Sequence, residues 1–457
     1  MTDNSQKAKL DDEKLKDGAE KLVAGMFDMT TKAVADNTNV ANFPSIVSVE
    51  AAKQANAKES GIYRSPLLCG STTFDLVKTP VKEEGYPGFG IDADDGSYDT
   101  VVGCFEATAK KNGNNNFLGH REVLADGTRG DYKWCNYADA LEDVKAFGVG
   151  LSTLCSISAT AGKSGDGGQP RVGVYSINRP EVTKVILALF RQRLICCPLY
   201  DTLGPKSVEF ILNQADVSVV FCERTKLKNL LEGKGKNLKF VILFEDLTDA
   251  DKDAAKTAKV KLFSLSDLKN SAAGKSAAPI STLPADWAYI MYTSGTTGDP
   301  KGVCLSHQNM LASASGLIRG NLTYLAEASD VYISYLPMAH SMEICCQMSM
   351  IVSGASIGFY SGDVRKLVSE DLPALKPTIM AGVPRVYSRI YDKVMQGLEE
   401  KGTLAGWMYK VAYMNQSWHM AAGLFRNPIW DWLLFNKVKG ALGGRVRLMA
   451  TGAQACV

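Results

Sequence analysis

From Arg171 onward, short apolar runs rich in β-branched residues alternate with amphipathic segments of about ten residues. RVGVYSI reads as a strand. Pro180 then opens EVTKVILALFRQRL as a helix, because proline's fixed φ and missing N–H suit a first turn. ICCPLY, VSVVFC and FVILF read as strands, with SVEFILNQAD and TKLKNLLEG as the helices between them. Short buried strands separated by helices require βαβ crossovers and a mostly parallel sheet. Residues 246–280 are polar and small, and read as a surface connection. The alternation resumes with WAYIMY as a strand and HQNMLASASGLI as a helix behind a Ser306 N-cap. VYISYLPM is a strand, a helix begins near His340, and ASIGFY, TIMAGV and VRLMATG are further strands. The pattern predicts an α/β chain with two doubly wound βαβ subdomains. An N-terminal extension covers 1–60, the first subdomain 61–270 and the second 271–457. Leu15, Ala19, Leu22, Val23, Met26 and Phe27 share one helical face in the extension, which suits a domain-capping helix as well as a partner or membrane helix. Residues 61–130 are turn-rich and suggest no element.

The 457 residues carry 51 basic and 49 acidic side chains, a formal charge of +2, with 46% hydrophobic residues. That balance fits a globular chain and gives no support for nucleic-acid binding, which usually shows a basic excess. Eleven cysteines, with adjacent pairs at 196–197 and 345–346 and no CxxC, argue against a zinc site or a secreted disulfide framework. Most lie in apolar runs, as buried thiols do, and predict a reducing, intracellular setting rather than secretion. The first 21 residues are rich in Asp, Glu and Lys, without the apolar core of a signal peptide. No apolar run approaches the ~20 residues that a spanning helix needs.

The sharpest motif is Tyr292–Gly302, YTSGTTGDPKG, placed between a predicted strand and a predicted helix. It sets Thr293, Ser294, Thr296 and Thr297 beside Gly295 and Gly298, with Lys301 three residues on. Glycines let the backbone come close to a ligand, and successive N–H groups form an anion nest. Hydroxyls add donors and lysine adds a point charge, so the composition suits a polyphosphate. It is not a Walker A loop, since Gly298 is followed by Asp299-Pro300-Lys301-Gly302 rather than Lys-Ser/Thr.

This motif resembles the phosphate-loop signature of the adenylate-forming (AMP-binding) superfamily. NRPEVTKVILALFRQRLICCPLYDTLGPKSVEFILNQAD, YLPMAHSMEI, GASIGFYSGDVRKL, GVPRVYSRIYDKV and GGRVRLMATGA resemble its eukaryotic long-chain fatty acyl-CoA synthetase branch. The likeness runs from about Tyr132 to Ala453. It implies that a fatty carboxylate attacks Mg-ATP to give an acyl-adenylate, and that coenzyme A then displaces AMP. Fatty acid, ATP, coenzyme A and Mg²⁺ are the implied ligands. By this resemblance Thr293, Ser294, Gly295, Thr296, Thr297, Gly298 and Lys301 hold the phosphates, Thr293 is also a Mg²⁺ partner, and Gly452 and Ala453 contact the nucleotide. His340, one of four histidines, stands near the reacting carboxylate. From the residue alone it reads first as a satisfied core histidine, and the match at LPMAH turns the reading to the site.

Other residues keep two readings. Arg385 suits an adenylate contact or a helix-start ion pair, and His307 reads as structural. Ser361-Gly362-Asp363 reads as a turn. The small residues of GASIGF suit an acyl channel or packing under the sheet. WMYKVAYMNQSW and PIWDWLLF suit a peripheral membrane contact, on an organelle surface such as the ER, or the core. No oligomeric state is assigned.

The match breaks at Gln454. The family's YGxTE segment, its ribose-binding aspartate and its small C-terminal domain with the adenylation lysine are not found. The resemblance therefore implies an N-terminal portion, with little ligase activity expected of the 457 residues alone, since domain closure assembles such sites. The competing expectations are another adenylate-forming acid:CoA ligase, or a non-catalytic nucleotide- or acyl-binding module.

Overall fold

The computed structural model describes residues 100–157, 168–200, 203–275, 280–293, 300–319, 326–400, 403–421 and 428–451. The expected helical face at Leu15–Phe27 lies outside them, as do 294–299 and 452–457. Among the described residues, 100–388 and 439–451 belong to one compact unit and 389–438 to a second.

Within the turn-rich residues 61–130, which are uninformative as sequence, a helix spans Val101–Lys111 and strand β1 (Asn116–Val123) begins; β1 pairs antiparallel with β2 (Arg129–Asn136). The missed signals are caps. Thr100 accepts from the Gly103 N–H at 3.1 Å, and Asn136 accepts from the Asp139 N–H at 2.7 Å, starting the helix Tyr137–Cys155.

The first sheet is built from β3 (Arg171–Tyr175), β4 (Ile195–Leu199), β5 (Val219–Cys222), β6 (Phe240–Leu243), β7 (Lys261–Ser264), β8 (Trp287–Thr293) and β9 (Lys301–Ser306). Their order is β7-β6-β5-β3-β4-β8-β9, parallel throughout except for the β8–β9 pair. The helices Pro180–Arg191, Pro205–Gln214 and Arg224–Glu232 are the expected crossovers. Both faces of the central strands are buried, with Val172, Val174, Cys196, Cys197, Val220 and Phe221 almost fully enclosed. This is why these strands read as continuous apolar runs rather than alternating ones.

Residues 246–280 are not a plain connection. They hold a helix at Asp249–Thr257, β7, and a helix at Leu265–Ser271. Thr248/Asp251 and Ser264/Asp267 each form a reciprocal capping box. The Ala/Lys/Asp composition hides this order, because edge elements bury little.

The second sheet contains β10 (Val331–Ser334), β11 (Ser356–Phe359), β12 (Ile379–Gly382) and β13 (Leu448–Thr451), joined by β1 and β2. The order is β13-β12-β10-β11-β1-β2, with only β1–β2 antiparallel. Sheet membership therefore does not change at residue 270. β1 and β2 cross into the second sheet, and β8 and β9 complete the first. Tyr137 ties the early segment in, stacking on Phe117 at 4.1 Å and donating to the Ala355 carbonyl at 2.7 Å.

Several double readings resolve. A Cβ on Gly358 would lie 2.4 Å from Leu375 Cδ1, so GASIGF packs under the sheet. Gly362 has φ +94° within a turn closed by Ser361 on Asp371. In the second unit, Tyr413, Met414, Trp418, Ile429 and Trp432 are exposed, so the two aromatic stretches are not wholly core. The nine described cysteines are all free thiols. No described helix is long and apolar enough to cross a membrane.

Candidate functional site

The two ends of the phosphate-loop motif lie on antiparallel strands of the first sheet. Thr293 ends β8 and Lys301 opens β9, and the two are cross-strand partners. The expected helix starts at His307, and a six-residue strand that the sequence reading did not anticipate precedes it. That strand was illegible because, as an edge, it is mostly exposed and lacks an apolar run. The expected Ser306 cap is present, its hydroxyl accepting from the Asn309 N–H at 3.1 Å. Gly302 keeps the pair close, since a Cβ there would lie 3.0 Å from Ile290 and 3.2 Å from the Tyr292 ring. Ser294, Gly295, Thr296, Thr297 and Gly298 lie outside the described residues, as do Gly452 and Ala453. Thr293 and Lys301 are both exposed.

The hairpin stands on a buried ion pair. Arg193, just before β4, donates from Nε and Nη2 to the two oxygens of Asp286, just before β8, each at 2.8 Å. Both residues are essentially inaccessible to solvent. The Asp286 carbonyl also accepts from the His307 N–H at 3.1 Å, tying the following helix to the same point. The His307 ring meets Phe190 edge-on at 4.9 Å. Burial pushes its pKa down to about 4, so it remains a neutral packing residue.

Parallel strands of the first sheet all end on the side where β8 reaches Thr293. On that side the two sheets meet. Asn178, three residues past β3, donates to Ser334 Oγ at 2.9 Å and to the Leu336 carbonyl at 2.6 Å. Its Oδ1 accepts from the Met338 N–H at 3.2 Å. Asn178 thereby seats the turn 335–340, which follows β10. Open α/β sheets bind ligands in such a crevice beyond the carboxyl ends of their strands.

His340 ends that turn. Its Nδ1 accepts from the Met342 N–H at 3.2 Å, capping the helix Ser341–Ser353. It is half-buried, and the cap gives its ring a structural role whichever reading holds. No described hydrogen bond or ion pair joins His340 to Thr293 or Lys301. Beneath it lies a polar network that the sequence reading missed. Glu343 is fully buried and accepts from Ser334 Oγ at 2.6 Å, Tyr332 OH at 2.7 Å and Gln347 Nε2 at 2.8 Å. Burial pushes the carboxyl up to about 7, against the downward pull of those donors. Gln347 extends the network to Thr183 on a first-sheet helix, at 3.0 Å. A polar Glu-x-x-x-Gln at i,i+4 within MEICCQMSMI was the available signal.

At the ends of β12 and β13, Gly382 pairs with Thr451. A Cβ on Gly382 would lie 2.6 Å from the Tyr335 hydroxyl, so only glycine admits that ring. Tyr335 OH is buried and has no hydrogen-bond partner among the described residues. Arg385 follows on the helix Pro384–Glu399 and is exposed, without a described ion pair at the helix start. The described residues contain no group of three His, Cys, Asp or Glu side chains able to hold a metal. Thr293 supplies a single hydroxyl, which does not by itself make a Mg²⁺ site.

Comparison with known proteins bears on this arrangement. The family model for AMP-binding enzyme matches residues 105–457. The chain is 40% identical over 339 residues to the peroxisomal long chain acyl-CoA synthetase 6 of Arabidopsis thaliana, covering 74% of this chain and 46% of that protein. It is 36% identical over 344 residues to fatty acyl-CoA synthetase A of Dictyostelium discoideum, covering 75% and 50%. The chain spans about half the length of the curated relatives it matches. Among solved structures, the adenylation domain of a Mycobacterium chelonae carboxylate reductase aligns with a TM-score of 0.62 at 17% identity, covering 78% of this chain and 54% of that one. A long-chain-fatty-acid-CoA ligase from Archaeoglobus fulgidus aligns with a TM-score of 0.52 at 21% identity, covering 65% and 54%. These structures share the fold. With the family model matched over most of its length, the chain belongs to the AMP-binding enzyme family, with the α/β fold of adenylate-forming N-terminal domains.

Proposed function

We propose that this chain supplies the nucleotide- and acyl-binding part of a long-chain fatty acid:CoA ligase. In that reaction a fatty carboxylate attacks the α-phosphorus of Mg-ATP, forming an acyl-adenylate and releasing pyrophosphate. The thiol of coenzyme A then displaces AMP to give the thioester. Such a displacement needs positioning and charge neutralisation more than covalent help from protein. The observation that carries the reading is that Thr293 and Lys301, the flanks of the YTSGTTGDPKG motif, are cross-strand partners at the carboxyl end of β8, the end of the sheet at which Asn178 seats the His340 turn.

In this reading the hydroxyls and backbone of Thr293, Ser294, Gly295, Thr296, Thr297 and Gly298 receive the β- and γ-phosphates, and Lys301 offsets their charge. Mg²⁺ arrives as part of Mg-ATP, with Thr293 as an added oxygen contact. Gly452 and Ala453, just past β13, flank the nucleotide. His340 orients the carboxylate and the adenylate, and the buried Tyr335 hydroxyl offers a donor on the same side. The names of the curated relatives favour a long-chain acyl group, and the peroxisomal form among them favours an intracellular setting; the exposed Trp418 and Trp432 suit peripheral contact with an organelle membrane.

Acyl selectivity tests the reading without requiring turnover. A fluorescent long-chain fatty acid bound to the 457-residue chain should be displaced by palmitate, and not by acetate or coumarate at the same concentration. Equal displacement by all three would assign the chain to another acid class.

A further inference from the structure

The amino end of the β6–β7 edge carries a cation cluster that the candidate site does not use. Lys234, Lys236 and Lys239 lie in the approach to β6. Lys256 and Lys259 lie at the end of the helix Asp249–Thr257, and Lys261 opens β7. All six are exposed. The backbone brings the three segments together. The Lys261 N–H donates to the Lys239 carbonyl at 2.9 Å, Phe240 pairs with Lys261 across the ladder, and the Lys234 ammonium donates to the Ala258 carbonyl.

None of the six has a carboxylate partner among the described residues. Of the neighbouring acids, Glu232 is engaged with Lys228 and Asp216 with Asn237. Crowded like charges repel, so the cluster lowers stability unless an external anion offsets it. Guarding an open sheet edge takes a lysine or two on that strand. β7 is such an edge, but five of the six lysines lie outside it.

The surroundings indicate what the cluster meets. Lys239, Lys259 and Lys261 rim an open hollow of about 380 Å³ whose floor is Leu238, Phe240 and Val260. Lys261 Nζ stands 5.5 Å over the Phe240 ring, which stacks on Phe263 at 6.5 Å. The cluster contains no arginine fork to fix one phosphate in one geometry. Flexible point charges around an open, apolar-floored hollow suit an array of anionic groups at variable positions. Clusters of about four to eight basic residues recognise anionic lipid headgroups.

We infer that this end of the first sheet is a docking face for an anionic phospholipid bilayer. The lysines meet the headgroups, and the Leu238–Phe240–Val260 floor takes the apolar region beneath them. The candidate site lies at the opposite end of this sheet's strands, about 13 Å along a four-residue strand, and β8 is four places across the sheet from β6, so docking leaves it clear.

The experiment is vesicle co-sedimentation of the 457-residue chain, using phosphatidylcholine vesicles with and without about a third phosphatidylserine. Binding should require phosphatidylserine and disappear at 0.5 M salt, taken as roughly ten times a low-salt buffer. The triple variant Lys239→Glu, Lys259→Glu, Lys261→Glu should lose at least ~100-fold in partitioning, at about fivefold per lysine. A melting midpoint no lower than that of wild type should show that it remains folded. The milder Lys239→Gln, Lys259→Gln, Lys261→Gln set should fall between the two. Equal binding to both vesicle types overturns the inference, as does full binding by the charge-reversed variant. Loss of binding in Trp432→Ala with none in the lysine variant also overturns it. So does binding of inositol hexakisphosphate without any binding to vesicles.

Discussion

Replacing Glu343 with glutamine should stabilise the protein above neutral pH and leave it unchanged in acid. Glu343 sits wholly inside the second sheet's helix layer, and burial raises its pKa from the ordinary 4.5 to about 7. Between those two values the folded state holds a proton that the unfolded chain has released. The carboxyl's contribution is therefore fully present below pH 4.5 and lost as pH rises through 7. A difference of about 2.5 pH units at ~1.36 kcal/mol per unit amounts to about 3 kcal/mol. The amide avoids this loss and can keep the network. Its oxygen accepts from Ser334 and Gln347, while its nitrogen donates to the Tyr332 hydroxyl, which can rotate to accept. Thermal melts of wild type and Glu343→Gln from pH 4 to 8 provide the assay. The two curves should coincide near pH 4 and separate by several degrees at pH 8, at roughly 1–2 °C per kcal/mol for a unit of about 300 residues. A variant destabilised equally at both ends, or a wild-type midpoint with no excess fall through neutrality, would refute the reasoning.

Three further perturbations probe the supports of the site. Asp286→Ala leaves the enclosed Arg193 guanidinium without its partner and should cost about 3–5 kcal/mol, read by denaturant unfolding. Asn178→Ala removes three buried hydrogen bonds between the sheets and should lower stability by roughly 1–3 kcal/mol. Amide exchange should rise first at residues 335–342, and protection unchanged there would count against the seat described for His340. Gly382→Ala places a methyl group 2.6 Å from the Tyr335 hydroxyl and should cost about 1–3 kcal/mol by melting, whereas no loss would mean the two strand ends are looser than the geometry indicates.

The first sheet was legible because its central strands are buried on both faces, and continuous apolar runs such as ICCPL and VVFC leave little choice. The phosphate loop was legible because its glycines, hydroxyls and lysine are contiguous. What escaped is of two kinds. Edge elements bury too little to stand out in hydropathy, which hid β9 behind the exposed KGVCLS and hid the helix Asp249–Thr257 behind Ala, Lys and Asp. Long-range pairings carry no local signature. Nothing near Asn116 announces that β1 pairs with β11 some 240 residues later, the separation at which Ser356 bonds the Asn116 carbonyl. Asn178 and Glu343 belong to this second kind, since each matters only through partners that the fold delivers. His340 was found by its motif, but its role as a helix cap needed the geometry.

The central claim is that the turn between Thr293 and Lys301 holds the phosphates of a nucleotide. Calorimetric titration of the 457-residue chain with Mg-ATP, repeated with Lys301→Ala, tests it most directly. Wild type should bind, and the variant should bind roughly 10- to 100-fold more weakly, the worth of one charge-assisted hydrogen bond, with its melting midpoint unchanged because Lys301 is exposed. Equal affinity for Mg-ATP in the two proteins would contradict the account.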